Sequence, residues 1–137
     1  MADNYELDTS GLDKLIRDVP GAFDAFGRSA AESITNEIKL SFNSGPAGRS
    51  YQRGSVTHVA SSPGSPPNID TGALVGSMHW ETIAELTYHV MDGVEYGYDL
   101  EEGTSKILPR PFVQPVFRVW RNGKLEREAV AYGIVKP

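Results

Sequence analysis

No cysteine occurs in the 137 residues. Disulfides, thiolate metal sites and a cysteine nucleophile are therefore excluded, and the composition suits a reducing compartment. Long hydrophobic runs are missing too, so no stretch is long and apolar enough to span a membrane. The first residues, MADNYELD, are acidic and lack the basic and apolar regions of a signal peptide. Folding in the cytoplasm is expected. Positive charge is scarce: the formal net charge is −5, unlike a generic nucleic-acid binder. Apolar residues make up only 39%, low for a self-sufficient globule, whereas 14 glycines and 9 prolines point to long irregular segments. The length fits one domain spanning 1–137, burying about two-thirds of its unfolded surface.

The first nine residues read as a short arm or edge strand. Ser10 is a candidate N-cap with Asp13 three positions on. Leu12, Leu15, Ile16 and Val19 then share a helical face. Pro20-Gly21 interrupts it, either as a kink or as the first turn of a new helix capped by Asp18. From Ala22 the pattern resumes through Phe23, Phe26, Ala30, Ile34, Ile38 and Phe42, giving an amphipathic helix that covers one face of a sheet. Asn43-Ser44-Gly45-Pro46 ends it. Residues 43–69 are too long for an ordinary connection and read either as a disordered surface loop or as a projecting loop that packs on a partner or approaches phosphates through Arg49 and Arg53. That loop carries Arg49, Tyr51, Arg53 and His58, with Val56, His58 and Ala60 as a possible strand arm.

Asp70 or Thr71 is placed to cap a short helix over Leu74 to Ser77. Met78–Ile83 and Leu86–Met91 read as a β-hairpin with a turn near Ala84-Glu85. Val94 to Leu100 alternates large and small residues, which favours a strand over a helix. Pro109-Arg110-Pro111 makes a stiff extended joint, since each ring locks φ and keeps its predecessor out of the helical region. Helices are predicted over Phe112–Val119 and Leu125–Ile134, with Asn122-Gly123 breaking the run.

Few groups are arranged for chemistry. Asp70-Thr71-Gly72 is the fragment that a dimeric aspartic protease uses, with two aspartates sharing a proton. Here Pro66-Pro67-Asn68 precedes it, a poor buried strand, and no partner motif follows. A turn at a helix start is the simpler reading. His79 and His89 fall on the two hairpin arms, and their spacing matches no recurrent zinc pattern. No Gly-x-Ser-x-Gly elbow, P-loop or dinucleotide glycine pattern is present. Glu101-Glu102 reads as a solvated pair. Arg118 and Arg121 share a helix face and either meet phosphates or an acidic neighbour, or are simply solvated. A small DNA-binding module is the other alternative to weigh.

Two stretches resemble a known family. One is Pro66-Pro67-x-x-Asp70-Thr71-Gly72-x-Leu74-x-x-Ser77. The other is Tyr96-x-Tyr98-x-Leu100-Glu101-x-Gly103-Thr104-Ser105-Lys106, then Pro109-Arg110-Pro111-Phe112-x-x-Pro115. In this order and spacing they resemble the tail-component family of siphophages and prophages, the neck proteins also called tail-completion or head–tail joining proteins. Tyr51-x-Arg53-Gly54, His58, Ala60-Ser61 and Pro63-Gly64 are similar to one branch of it. The resemblance covers most of residues 10–130, with departures at Pro20-Gly21 and Asn122-Gly123.

The resemblance implies a non-enzymatic virion protein, assembled in the host cytoplasm, without cofactor, metal or membrane. Copies would form a hexameric or dodecameric ring between head-closure proteins and the tail terminator or tail tube. DNA would pass through without specific binding, which suits an acidic balance, since a binder would neutralise phosphates and hold on. Arg49, Tyr51, Arg53, Arg110, Pro111 and Phe112 are the expected subunit or partner contacts. Asp70, Thr71, Gly72, Gly103 and Thr104 are expected to shape the backbone. The expected fold is α+β: a long N-terminal helix on a small, mostly antiparallel sheet, with a C-terminal helix after the Pro-Arg-Pro joint. The expected core is Leu15, Phe26, Ile34, Ile38, Trp80, Leu86, Val90, Leu100, Phe112 and Val116.

Overall fold

The computed structural model describes Asp8 and residues 10–134, apart from the side chains of Leu12, Asp13, Leu15 and Ile16. Most of the expected N-terminal arm, and Leu15 as a core residue, lie outside what is described. The fold is α+β. One helix, α1 (Ser10–Ser41), runs through Pro20 without ending there. Pro20 withholds one ladder hydrogen bond, but the three- and four-residue apolar spacing on both sides continues. At the N-terminus of α1 the Asp8 carboxylate accepts the Ser10 N–H at 2.9 Å.

Two antiparallel hairpins and a run of short helices follow. The segment expected to be a loop over 43–69 is ordered as β1 (Ala47–Arg53) paired with β2 (Val56–Ser61). Its polar alternation hid the pairing, because all of β1 is exposed and no apolar face marks it. Next come α2 (Ala73–Ser77), then β3 (His79–Ala84) paired with β4 (Thr87–Met91). The turn between them is Glu85-Leu86, one position later than expected. The two hairpins form separate two-stranded ladders. The stretch expected to be a strand from Val94 instead forms α3 (Gly97–Glu102). Alternation there misled because Tyr96 and Tyr98 are both exposed, at 45% and 73%, so they mark no buried strand face.

After the proline joint, α4 (Gln114–Val119), a widened turn (Trp120–Lys124) and α5 (Leu125–Tyr132) complete the chain. Asn122 and Gly123 leave helical geometry, Gly123 at φ 112°, as the Asn-Gly signal implied.

The C-terminal half of α1 is the centre of the core. Ala30, Ile34, Ile38 and Phe42 bury against Leu74, Met78, Phe112 and Trp120. Burying each of the larger side chains stabilises by about 1.5–3 kcal/mol. The Phe42 and Phe112 rings meet at 5.5 Å between centroids. Phe26, Val90, Leu100 and Val116 pack against this cluster and are partly buried. Trp80 is half-buried, and Leu86 is 47% exposed and does not belong to the core.

Polar side chains fasten β3–β4 along α1. Tyr88 donates its hydroxyl to the Asp24 carboxylate at 2.5 Å, and Trp80 Nε1 donates to Glu32 at 2.6 Å. The Tyr88 hydrogen bond, then Arg28, holds the Asp24 carboxyl below its usual range. Trp80, then Asn36, does the same for Glu32. Tyr88 itself is pushed up, first by the bond to Asp24. Gly27 lets the Tyr88 ring lie on the helix, because a Cβ there would sit 2.2 Å from that ring.

Candidate functional site

The C-terminal end of α1 stops at Asn43, at φ 63°, a left-handed position that asparagine tolerates. Its side-chain oxygen accepts the Ile69 N–H at 2.7 Å, and its own N–H donates to the Pro67 carbonyl at 3.2 Å. This clasp draws the proline-rich segment back across the helix end and sets the Asp70 turn beside the β1–β2 hairpin.

The second stretch is drawn to the same place. Arg110 N–H donates to the Leu100 carbonyl at 2.7 Å, while its guanidinium Nε donates to the Ser61 carbonyl at 3.2 Å. Gly64 N–H donates to the Pro109 carbonyl at 2.8 Å. The turn ahead of the joint is closed by Thr104, whose hydroxyl oxygen accepts the N–H groups of Lys106 and Ile107, both at 3.1 Å. Gly103 sits at φ 77°, with Pro109 so near that a Cβ would come within 2.8 Å of its ring.

Between these parts lies a groove of about 600 Å³. Tyr51, Arg53 and His58 of the hairpin line it, together with Tyr96, Asp99 and Ile107. Phe42, Ala60 and Leu74 contribute its apolar lining, and the Asp70 turn and Arg110 also border it. The Asp70 carboxylate pairs with Arg53 and lies 3.5 Å from His58 Nδ1. The His58 ring is 11% exposed and meets the Tyr51 ring edge-on at 5.0 Å. Thr71 accepts the Ala73 N–H at 3.3 Å, and Gly72, at φ 83°, occupies the position before α2. Neither Asp70 nor Thr71 is therefore the N-cap of α2, which has no side-chain cap. Among the described residues Ser61 Oγ is buried with no hydrogen-bond partner, and leaving a buried hydroxyl unpaired costs about 1–3 kcal/mol in general.

The residues expected to make contacts divide three ways. Arg49, Tyr51 and Arg53 stand on β1 and are exposed. Arg110 and Pro111 are half-buried, and the Arg110 side chain is spent on the carbonyls of Ser61 and Leu108. Phe112 is 1% exposed and belongs to the core, which corrects its reading as a contact residue: its ring is needed against Phe42.

Glu101 does more than the sequence suggested. It is not a solvated carboxylate, because it accepts the N–H groups of Phe112, Val113 and Gln114 at 2.7, 3.0 and 2.8 Å. It thereby satisfies orphan donors at the start of α4 and favours the positive end of that helix. An acidic residue ahead of a proline-marked helix start was the available signal, but the distance in sequence concealed it. The hairpin histidines do not face one another, since His89 is opposite Glu81 and His79 opposite Met91. His79 Nδ1 lies 2.8 Å from the Ser77 carbonyl oxygen. Among the described residues no three His, Asp or Glu side chains are grouped so as to hold a metal ion, and no helix is long and apolar enough to cross a membrane.

Comparison of the chain with protein-family models, with curated proteins and with solved structures found no match.

Proposed function

We propose that this chain is a structural subunit of the neck of a tailed phage or prophage. Several copies form a ring that joins the DNA-filled head to the tail and surrounds the DNA channel. The observation that carries this reading is the meeting of the two stretches that resemble the family. Asp70-Thr71-Gly72 and Tyr96–Arg110 are distant in sequence yet border one groove. Two separated stretches that fold onto one surface suit a contact between proteins.

The reading is non-enzymatic. Asp70 is paired with a guanidinium, and Glu101 accepts three backbone N–H groups, so both carboxylates already have partners within the chain. The net charge of −5 suits a channel past which DNA slides. The neighbours would be head-closure proteins on one side and a tail terminator or tail tube on the other.

The test is genetic and morphological. Without this chain, induced particles should separate into DNA-filled heads and free tails, and supplying it should restore joined virions. Asp70→Asn should still restore them. Complete infectious particles in its absence would overturn the proposal.

A further inference from the structure

The β3–β4 turn carries an unusual tip. Ile83 and Leu86 are 50% and 47% exposed. Leu86 holds φ 51°, a left-handed conformation where glycine or asparagine is ordinary. A strained, half-exposed leucine serves the isolated chain poorly, and such outliers collect where a contact is made. Glu85 stands between them, exposed and in no ion pair among the described residues.

The groove has the matching character. Leu74, Ile69 and Ile107 line it, the last two 42% and 40% exposed. The Arg110 guanidinium donates only to carbonyl oxygens, so its charge meets no carboxylate among the described residues. A volume of about 600 Å³ is enough for several apolar side chains.

Tip and groove lie at opposite ends of the molecule. Along α1, Trp80 bonds Glu32 and Tyr88 bonds Asp24, so the hairpin points its tip toward Phe23, with which Leu86 shares a small cleft. The groove begins at Phe42. Those two phenylalanines are about 28 Å apart along the helix, at roughly 1.5 Å per residue.

We infer that copies of this chain join head to tail, the Ile83–Leu86 tip of one seated in the groove of the next with Glu85 toward Arg110. The occupant is a second copy because the chain itself carries, at its far end, an apolar knob to fill the apolar lining and a carboxylate, Glu85, to meet Arg110, the groove's other arginine, Arg53, being paired with Asp70. Knob and hole are different surfaces, so the contact is heterologous: it excludes a two-fold dimer and builds a ring where the rotation between copies closes, as the neck reading requires. The inference rests on the neck-ring reading and identifies its subunit contact.

The absence of native cysteine allows a direct test. A chain with both Ile83→Cys and Ile69→Cys is oxidised as concentrated purified protein and inside assembled particles. Within one chain the two sites are too far apart to bridge, since a disulfide needs Cα atoms within roughly 7 Å. A ladder of covalent multimers in either sample, with neither single variant giving one, is the expected result. No ladder in either sample, or cross-linking to a different virion protein, overturns the inference. A chain found at the neck without a ladder overturns the inference alone, whereas a chain missing from particles overturns the neck reading. Leu86→Gly gives a second readout. It should raise the Tm of the isolated chain by relieving the left-handed leucine, yet lose head–tail joining. Full joining by this variant would also overturn the inference.

Discussion

The β3–β4 hairpin is fastened to α1 through Tyr88 and Trp80, and its inner residues join the core margin. The β1–β2 hairpin is held differently. All of β1 is exposed, and among the hairpin's ties to the body are the contacts of Asp70 with Arg53 and His58, the Asn68 side-chain donation to the Val59 carbonyl and the Arg110 donation to Ser61. One hairpin is thus part of the packed body, and the other is an arm whose inner face makes a groove wall. The difference shows how a chain low in apolar residues and rich in glycine and proline still orders an arm. The arm has little apolar surface of its own, so its fold depends on a few polar ties and on its own ladder.

That comparison can be broken from underneath. Phe112→Ala removes the ring that packs on Phe42 beneath the groove, and should cost about 3–5 kcal/mol in chemical denaturation. Both hairpins would lose their common support, and this is the largest effect anticipated. A smaller change separates them. Gly27→Val forces the Tyr88 ring off the helix and should cost about 1–3 kcal/mol. Amide exchange should then quicken in 79–91 and stay unchanged in 47–61. Equal loosening of both segments would mean that the hairpins are not independently held.

Acid should also act on the anchored hairpin. Asp24 and Glu32 have folded-state values depressed below the usual carboxylate range, about 4. A depressed carboxylate contributes stability above its unfolded value and loses it as pH falls through the lower folded value. Unfolding titrations should therefore show stability declining below about pH 4, with the slope flattened in the Asp24→Asn, Glu32→Gln double variant. Asp70→Asn is the mildest change. The pair with Arg53 is partly exposed, at 57% for Arg53 and 30% for Asp70, and its loss should cost less than about 1 kcal/mol. Its effect should be confined to faster exchange within β1–β2.

Much of this architecture was legible in the sequence. The apolar spacing from Phe23 to Phe42 announced the helix and its buried face, and β-formers around a tight turn announced β3–β4. The β1–β2 hairpin was not legible, because Ala47–Arg53 buries no side chain and so carries no period-two apolar signal. Tyr96 and Tyr98 imitated a strand while lying beside or on a short exposed helix. Of the site, Asp70-Thr71-Gly72 and the Pro-Arg-Pro joint stood out as motifs. Their convergence did not, since it depends on Asn43, Arg110 and Glu101, each acting across many residues. Trp120 in the core and Glu101 over α4 were missed for the same reason: long-range partners leave no local pattern.

The most direct measurement is an image of the virion neck in which this chain is located by a fused density tag. The account predicts a ring of copies at the head–tail junction, around the DNA, with the β3–β4 tip of each directed at its neighbour's groove. A chain found elsewhere in the particle, or absent from it while heads and tails remain joined, would contradict it.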